Sequence, residues 1–189
     1  MMVLRQAGTS DSRATQATDA DLAAAIRDGN VDALGELYRR YAEQLMAVAY
    51  RLLWSRDEAE DVLHDVFVGL PRALRKYDER GRLAPWLKRV TAHVALSKLR
   101  AGGGPIEFGV ERDAAVDESI SPEESMTLRA AVASLAPTLR AVLVLKEIEG
   151  FSHAEIAAML GISRGASEVR LHRAIAALRA RMIRNEKGA

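Results

Sequence analysis

An all-α fold, two small helical domains joined by a flexible linker, is predicted by three features of the sequence. Hydrophobic residues make up 49% of the 189 positions but aromatics only 5%, so the cores must be built from Ala, Leu, Val and Ile. With many Arg and Glu and few Pro, that mixture favours helices over sheets. Apolar positions recur at three- and four-residue steps over long stretches, the period of a helix with one buried face. A break then falls at Ala101-Gly-Gly-Gly-Pro105 and the acidic, poorly periodic stretch to Ser121. A glycine triplet with proline does not sit inside a helix, and the acidic residues keep the segment solvated.

Taken in order, residues 1–18 are polar, rich in Ser, Thr and Gln and without a hydrophobic signal core, and read as a disordered leader. The first domain spans 19–101. Asp19 or Asp21 is expected to cap a short helix that stops at Asp28-Gly-Asn30. Asn30 caps a long helix whose inward stripe is Leu34, Leu37, Tyr38, Tyr41, Leu45, Val48, Ala49 and Leu52. Ser55 opens a third helix with an acidic first turn, as the helix dipole favours. Its inward positions are Ala59, Val62, Leu63, Val66, Phe67 and Leu70, and Pro71 is expected to kink or end it. A loop from Tyr77 to Leu83 leads to a helix from about Pro85 to Leu99.

The linker occupies 102–121 and the second domain 122–186. Ser121-Pro-Glu-Glu124 is a good helix start, with proline at the first helical position, and that helix runs to about Ser134. Pro137 starts the next, reaching Glu149 with Leu139, Val142, Leu145 and Ile148 inward, and Gly150 ends it. In the stretch beyond, Ser152 caps a short helix and Glu155 completes a capping box. Ile156 and Leu160 face inward, Gly161 sits where the turn needs a positive backbone angle, and Ile162 plugs the corner. A second, basic helix begins near Ser163 or Arg164. This spacing is a helix-turn-helix, whose second helix enters the DNA major groove. Arg164, Ser167, Glu168, Arg170 and Arg173 are candidate contacts: Arg pairs with guanine edges or phosphates, and Glu accepts from cytosine. Arg179, Arg181 and Arg184 lie too far along to reach bases.

The net charge is only +1, but its distribution is blocked. Asp57 to Asp65 holds five acidic residues and no basic one, and Arg72 to Arg100 nine basic against two acidic. Glu107 to Glu124 holds seven acidic against one arginine, and Arg164 to Lys187 seven basic against two acidic. Blocks of this size point to separate surfaces for separate partners, two of them anionic. Several function classes are excluded in turn. There is no cysteine, so no disulfide, thiolate catalysis or sulfur-bound zinc, which fits a reducing cytoplasm. No apolar run reaches the roughly 18 residues of a membrane span, so no membrane insertion is expected. His64, His93, His153 and His172 are scattered without a ligand pair, and Ala101–Pro105 lacks the Lys-Ser or Lys-Thr of a phosphate loop. No enzyme activity, metal or cofactor is expected.

The residues carry a more specific resemblance. Leu135-Ala-Pro-Thr-Leu-Arg-Ala-Val-Leu-Val-Leu-Lys-Glu-Ile-Glu-Gly150, the helix-turn-helix, and Arg170-Leu-His-Arg-Ala174 resemble region 4 of bacterial RNA polymerase sigma factors. Ala59-Glu-Asp-Val-Leu-His-Asp-Val-Phe67, and Trp86-Leu-Lys-Arg-Val90 running on to Val94-Ala-Leu-Ser-Lys-Leu-Arg100, resemble region 2. Two motif sets in this order without an intervening region-3 domain are similar to the extracytoplasmic-function (ECF) group of the sigma-70 family, over about 19–185.

The resemblance implies partners and roles. Glu60, Asp61, His64, Asp65 and Phe67 would dock on the clamp coiled coil of the polymerase's largest subunit, and the second domain near its beta flap. The loop from Asp78 to Leu83 would cradle an extruded base of the minus-ten element. Arg80, Arg82, Lys88, Arg89, His93, Lys98 and Arg100 would contact that element, while Trp86 belongs to the core. The helix-turn-helix would read the minus-35 element, and the acidic linker would thread toward the polymerase's active-site channel. An anti-sigma factor is a further expected partner. Some positions depart from the family pattern: Gly69 and Pro71 in the third helix, and Ala92, His93 and Ser97 in the fourth. Ser167 and Val169 are exchanged against the usual order, which would bury a hydroxyl and offer the groove an apolar side chain suited to a thymine methyl. Two other readings share parts of the pattern: a sigma-like decoy that binds an anti-sigma factor without promoter function, and a stand-alone helix-turn-helix repressor.

Overall fold

The computed structural model describes residues 17–77, 82–101 and 128–188, and among them the regular structure is helical with no strand. The leader up to residue 16, the linker 102–121 and the expected helix start at Ser121 lie outside the described residues.

Helix α1 (Asp19–Arg27) is capped by Thr18, not by either aspartate. The Thr18 hydroxyl accepts from the Asp21 N–H at 3.2 Å while the Asp21 carboxylate accepts from the Thr18 N–H at 2.9 Å. The signal was an acidic residue three places after a threonine, a reciprocal capping box. Asn30 caps α2 (Val31–Leu53) as expected, its Oδ1 accepting from the Ala33 N–H at 3.0 Å. Leu37, Leu45, Val48, Ala49 and Leu52 are fully buried along the stripe. Leu34 and Tyr41 are half-buried, and Tyr38 is exposed at the margin, its ring meeting Phe67 edge-on at 4.9 Å.

Trp54 closes α2 in a left-handed conformation (φ 60°), donating its N–H to the Tyr50 carbonyl at 2.7 Å. A bulky residue there costs about 1–3 kcal/mol and persists only when its surroundings hold it. The Tyr50 ring stacks on it at 5.6 Å, and the Arg140 guanidinium of the second half lies 6.0 Å from its ring centroid.

Helix α3 (Arg56–Leu74) starts at Ser55, and all six expected inward positions are buried. It runs past Pro71 to Leu74, against the expectation of a stop, because Leu70 and Leu74 on either side are fully buried in the core. Burial of two leucines outweighs one missing backbone hydrogen bond. Helix α4 (Leu83–Ala101) begins two residues before Pro85, so the proline falls in the first turn, where no backbone donor is needed.

In the second half, α5 (Leu128–Ala133) precedes α6 (Pro137–Leu143), which has its proline at the first position. The chain then passes through a π-helical turn, Val144–Ile148. The extra residue in that turn shifts the register at its end, so Ile148, expected inward, is exposed. Gly150 (φ +78°) ends the segment, and α7 (His153–Leu160) and α8 (Arg164–Gly188) complete the fold. Helices α1, α3 and α4 pack around α2, and α5, α6 and α7 against α8. The halves meet where α2 touches α6 and α4 touches α7, and buried residues from both form one connected set.

The Tyr41 hydroxyl of α2 donates to the Asp19 carboxylate of α1. Burial first, then Asp19, pushes its pKa up to about 12. The folded state therefore disfavours ionisation that the unfolded chain permits near 10. Stability from this group is complete below that point and lost as pH rises toward the folded value. Thermal melts of Tyr41→Phe should lose less stability than the native chain between these two pH values.

Candidate protein- and nucleic-acid-binding surfaces

Helix α3 divides into two faces because one side supplies the core. Glu60, Asp61, His64 and Asp65 are exposed along the other, at three- and four-residue steps. Glu60 pairs with Arg56 at 2.9 Å, and Asp61 with Lys98 of α4. Phe67 does not share this face: it is 6% exposed and pinned by Tyr38, so it is a floor and not an outward anchor. With Leu63 it underlies a groove of about 740 Å³ between α2 and α3, walled by Val31, Leu34, Tyr38 and Met46. His64 and Glu60 line the same groove, and Val68 adds a further apolar side chain. Sequence reasoning missed this apolar strip. Its signal was Val31 and Val68, large apolar residues off their helices' inward stripes and 77% and 67% exposed.

On α4, Arg89, His93, Ser97 and Arg100 are exposed on one side, and Arg82 is exposed just before the helix. The Ser97 hydroxyl donates to the His93 carbonyl at 2.9 Å and accepts from Arg100 at 3.1 Å. Lys88 and Lys98 are half-buried at the flanks. Arg80 and the loop 78–81 lie outside the described residues. Trp86 is half-buried against Tyr77, with ring centroids 4.9 Å apart, and packs on the core. Ala92 is fully buried, so packing explains a small side chain there.

The helix-turn-helix forms as its residues dictate. The Ser152 hydroxyl accepts from the Glu155 N–H at 3.3 Å, while Glu155 Oε2 accepts from the Ser152 N–H at 2.9 Å and hydroxyl at 2.8 Å. Gly161 turns the chain at φ +66°, and the Ser163 hydroxyl accepts from the Ala166 N–H at 3.1 Å at the head of α8. Arg164 and Arg173 are exposed, Glu168 and Arg170 half-buried, and Arg164 pairs with Glu168 at 2.9 Å. Ser167 must be withdrawn from the groove-facing set. It is fully buried, its hydroxyl 2.9 Å from His153 Nδ1, and it ties the two helices together. Val169, 45% exposed, occupies the solvent face with His172, a residue sequence reasoning left out although it stands three places on. Arg179 is exposed and Arg181 half-buried further along, and the Arg184 side chain is outside the described residues.

The halves are joined by charge as well as by apolar contact. Glu149, its side chain 1% exposed, binds Arg51 of α2 through Oε1 and Lys88 of α4 through Oε2, the latter at 3.3 Å. Arg89 binds Glu155 of α7. Among the described residues no three His, Asp or Glu side chains group to hold a metal, and no helix is long and apolar enough to cross a membrane. What the molecule offers is an acidic face beside an apolar groove, a basic face, and the exposed head of the second helix of a helix-turn-helix.

The family described as Sigma-70 region 2 matches residues 37–103, and that described as Sigma-70, region 4 matches 125–178. The chain is 33% identical over 159 residues to RNA polymerase sigma factor CarQ of Myxococcus xanthus, covering 82% of this chain and 91% of that protein. It is 33% identical over 151 residues to ECF RNA polymerase sigma factor SigE of Mycolicibacterium smegmatis, covering 73% of this chain and 57% of that one. Among solved structures, CnrH in complex with the cytosolic domain of CnrY aligns with a TM-score of 0.52 at 27% identity, covering 85% of this chain and 94% of that one.

The Glu155 carboxyl is held below its ordinary range, by the Ser152 N–H first and its hydroxyl second, with Arg89 adding to them. A depressed folded pKa gives stability that is complete above the ordinary carboxylate value and lost as pH falls through the folded one. Glu155→Gln keeps the cap geometry but removes this titration. Its melting temperature should therefore fall less steeply than the native chain's on acidification.

Proposed function

The chain belongs to the sigma-70 family of RNA polymerase sigma factors, in its ECF group, and we propose that three of its surfaces divide the family's task. As a member it binds core RNA polymerase and directs promoter recognition and transcription initiation. Members of this family are regulatory proteins, and we propose that this chain performs no chemistry of its own. Instead, binding to unpaired minus-ten bases offsets part of the cost of opening the duplex.

We assign core-polymerase docking to the exposed α3 face, Glu60, Asp61, His64 and Asp65, with Phe67 supporting it from beneath. The neighbouring groove would take apolar side chains of the clamp, while the carboxylates steer the approach and fix the register. The minus-ten face is α4 with the segment before it: Arg80, Arg82, Lys88, Arg89, His93, Lys98 and Arg100. The minus-35 reader is the start of α8, with Arg164, Glu168, Arg170 and Arg173 around Val169 and His172. We infer that residues 19–101 and 122–186 act as two domains and that the linker 102–121 joins them through the polymerase channel.

The observation that carries this reading is the segregation of charge on adjacent helices, acidic on α3 and basic on α4, each backed by a buried face. Matches to both regions in order do not favour a decoy or a stand-alone repressor. CnrH has been solved with the cytosolic domain of CnrY, and we extend to this chain an anti-sigma partner that covers its polymerase and promoter faces. We place the protein in the cytoplasm, where such a partner would tether it to the membrane.

Run-off transcription with core polymerase on a pool of upstream fragments should give discrete transcripts that vanish without the protein. Glu60→Ala with Asp61→Ala should weaken them severalfold; silence with folded protein and active core would refute the assignment. Val169 makes a sharper prediction. Replacing one thymine of the minus-35 element by deoxyuracil should weaken initiation about fourfold, the value of one buried methyl, and Val169→Ala should abolish that difference.

A further inference from the structure

The head of α8 is assigned above to base reading, yet little apolar packing holds its orientation. The inward stripe of this helix is Ser167, Leu171, Ala174 and Leu178, and of its apolar members only Ala174 is fully buried. Arg164, Gly165 and Ala166 before it are exposed or half-buried, and the space around Gly165 is open. Glycine there adds backbone freedom at the start of the helix. Ser167 is the exception. It is fully buried, and its hydroxyl lies 2.9 Å from Nδ1 of His153, in the first turn of α7. The Ser152–Glu155 capping box holds that turn in place. We propose that His153 is a positioning residue for base recognition: its bond to Ser167 sets the rotation of α8 about its own axis, and so which side chain meets the base edges. This role rests on the reading of α8 as the minus-35 reader.

A hydrogen bond sets a rotation where apolar contact does not. Apolar burial is non-directional, so a stripe of one alanine and two half-covered leucines tolerates a small roll of the helix. A hydrogen bond weakens steeply away from its preferred distance and angle. Leaving a buried hydroxyl unpaired also costs its full desolvation, so a roll that breaks the bond is resisted. Successive residues of an α-helix are turned by about 100°, which sets Val169, two places on, almost opposite Ser167. Holding Ser167 inward therefore aims Val169 outward, where it is 45% exposed with His172 on the same side. His153 reaches the bases only through this lever.

The test is initiation by the polymerase holoenzyme at the promoter that run-off transcription yields. Each base pair of the minus-35 element is replaced in turn, with thymine to deoxyuracil among the changes. Activities of each variant are divided by its own activity on the native element, so loss of folded protein cancels. His153→Leu removes the bond and should flatten the pattern of losses, the one caused by deoxyuracil falling from about fourfold to under about twofold. His153→Asn should restore the pattern, because the asparagine amide offers a donor and an acceptor near the place of Nδ1. Ser167→Val with His153→Leu replaces the bond by an apolar contact. It should recover the native melting temperature without recovering discrimination, and it gives the answer if His153→Leu alone folds poorly. A bond-free variant that keeps the native pattern, even at lower activity on every template, overturns the positioning role, since the bond then only holds the fold. A native chain indifferent to every change in the element removes the base-reading role of α8 and the positioning role with it. Discrimination by the native chain that is lost in the bond-free variants upholds both.

Discussion

Burial along α2 is the constraint on which the rest of the structure depends. Seven of its side chains, from Ala33 to Leu53, are buried, and α1, α3, α4 and α6 all lie against this helix. With few aromatics available, the cover has to come from Leu, Ala and Val at close approach, and such packing tolerates little rotation of the covering helices. Once Val62, Val66 and Leu70 must be buried in the core, the acids of α3 have no choice but to face outward. The same holds on α4, where burial of Leu87, Ala92, Ala95 and Leu96 turns Arg89, His93 and Arg100 to solvent.

Adjacent faces of opposite sign on one rigid body have a mechanical meaning. The Lys98–Asp61 pair bridges α3 and α4 at the boundary, although a pair this exposed contributes little to stability. The apolar packing beneath carries the connection. On the assignment proposed above, a polymerase element seated on α3 and a strand seated on α4 would be held at a fixed separation by the core. The helix-turn-helix surface belongs to a second packing unit around α8 and reaches the first through a smaller contact. A protein that engages two separated DNA elements needs such a division.

Much of this was legible in the chain. Helix number and order, the Asn30, Ser55 and Ser152 caps, the Gly150 and Gly161 turns and the inward set of α3 all come from local chemistry and periodicity. Errors cluster where tertiary burial outvoted a local rule. Pro71 reads as a stop, but Leu74 beyond it finds a buried place; Ile148 reads as inward until the π turn shifts the register. The site was legible as charge blocks and less so as single contacts. Ser167 carries the right position in the motif but the wrong face, since a one-dimensional pattern does not say which side of a helix its neighbours cover. Phe67, which periodicity places inward, enters the docking set only through the resemblance. Ser167 had one clue, its exchange with Val169. The groove beside α3 and the pairing of Glu149 with Arg51 join distant parts of the chain, and no local pattern encodes them.

The turn at Val144–Ile148 makes the second half unusually sensitive to chain length. Its backbone bond from the Glu149 N–H reaches five residues back, to Val144. Loss of one residue there would let an ordinary α-helical turn form without breaking the element. Each residue advances an α-helix by about 100°, so everything between the deletion and Gly150 would be re-aimed, Glu149 included, while helix content hardly changed. A frame-preserving codon deletion at this point would then be nearly silent to circular dichroism and severe for the junction between the halves. Alignments that place a one-residue gap in this segment mark relatives whose two domains meet differently.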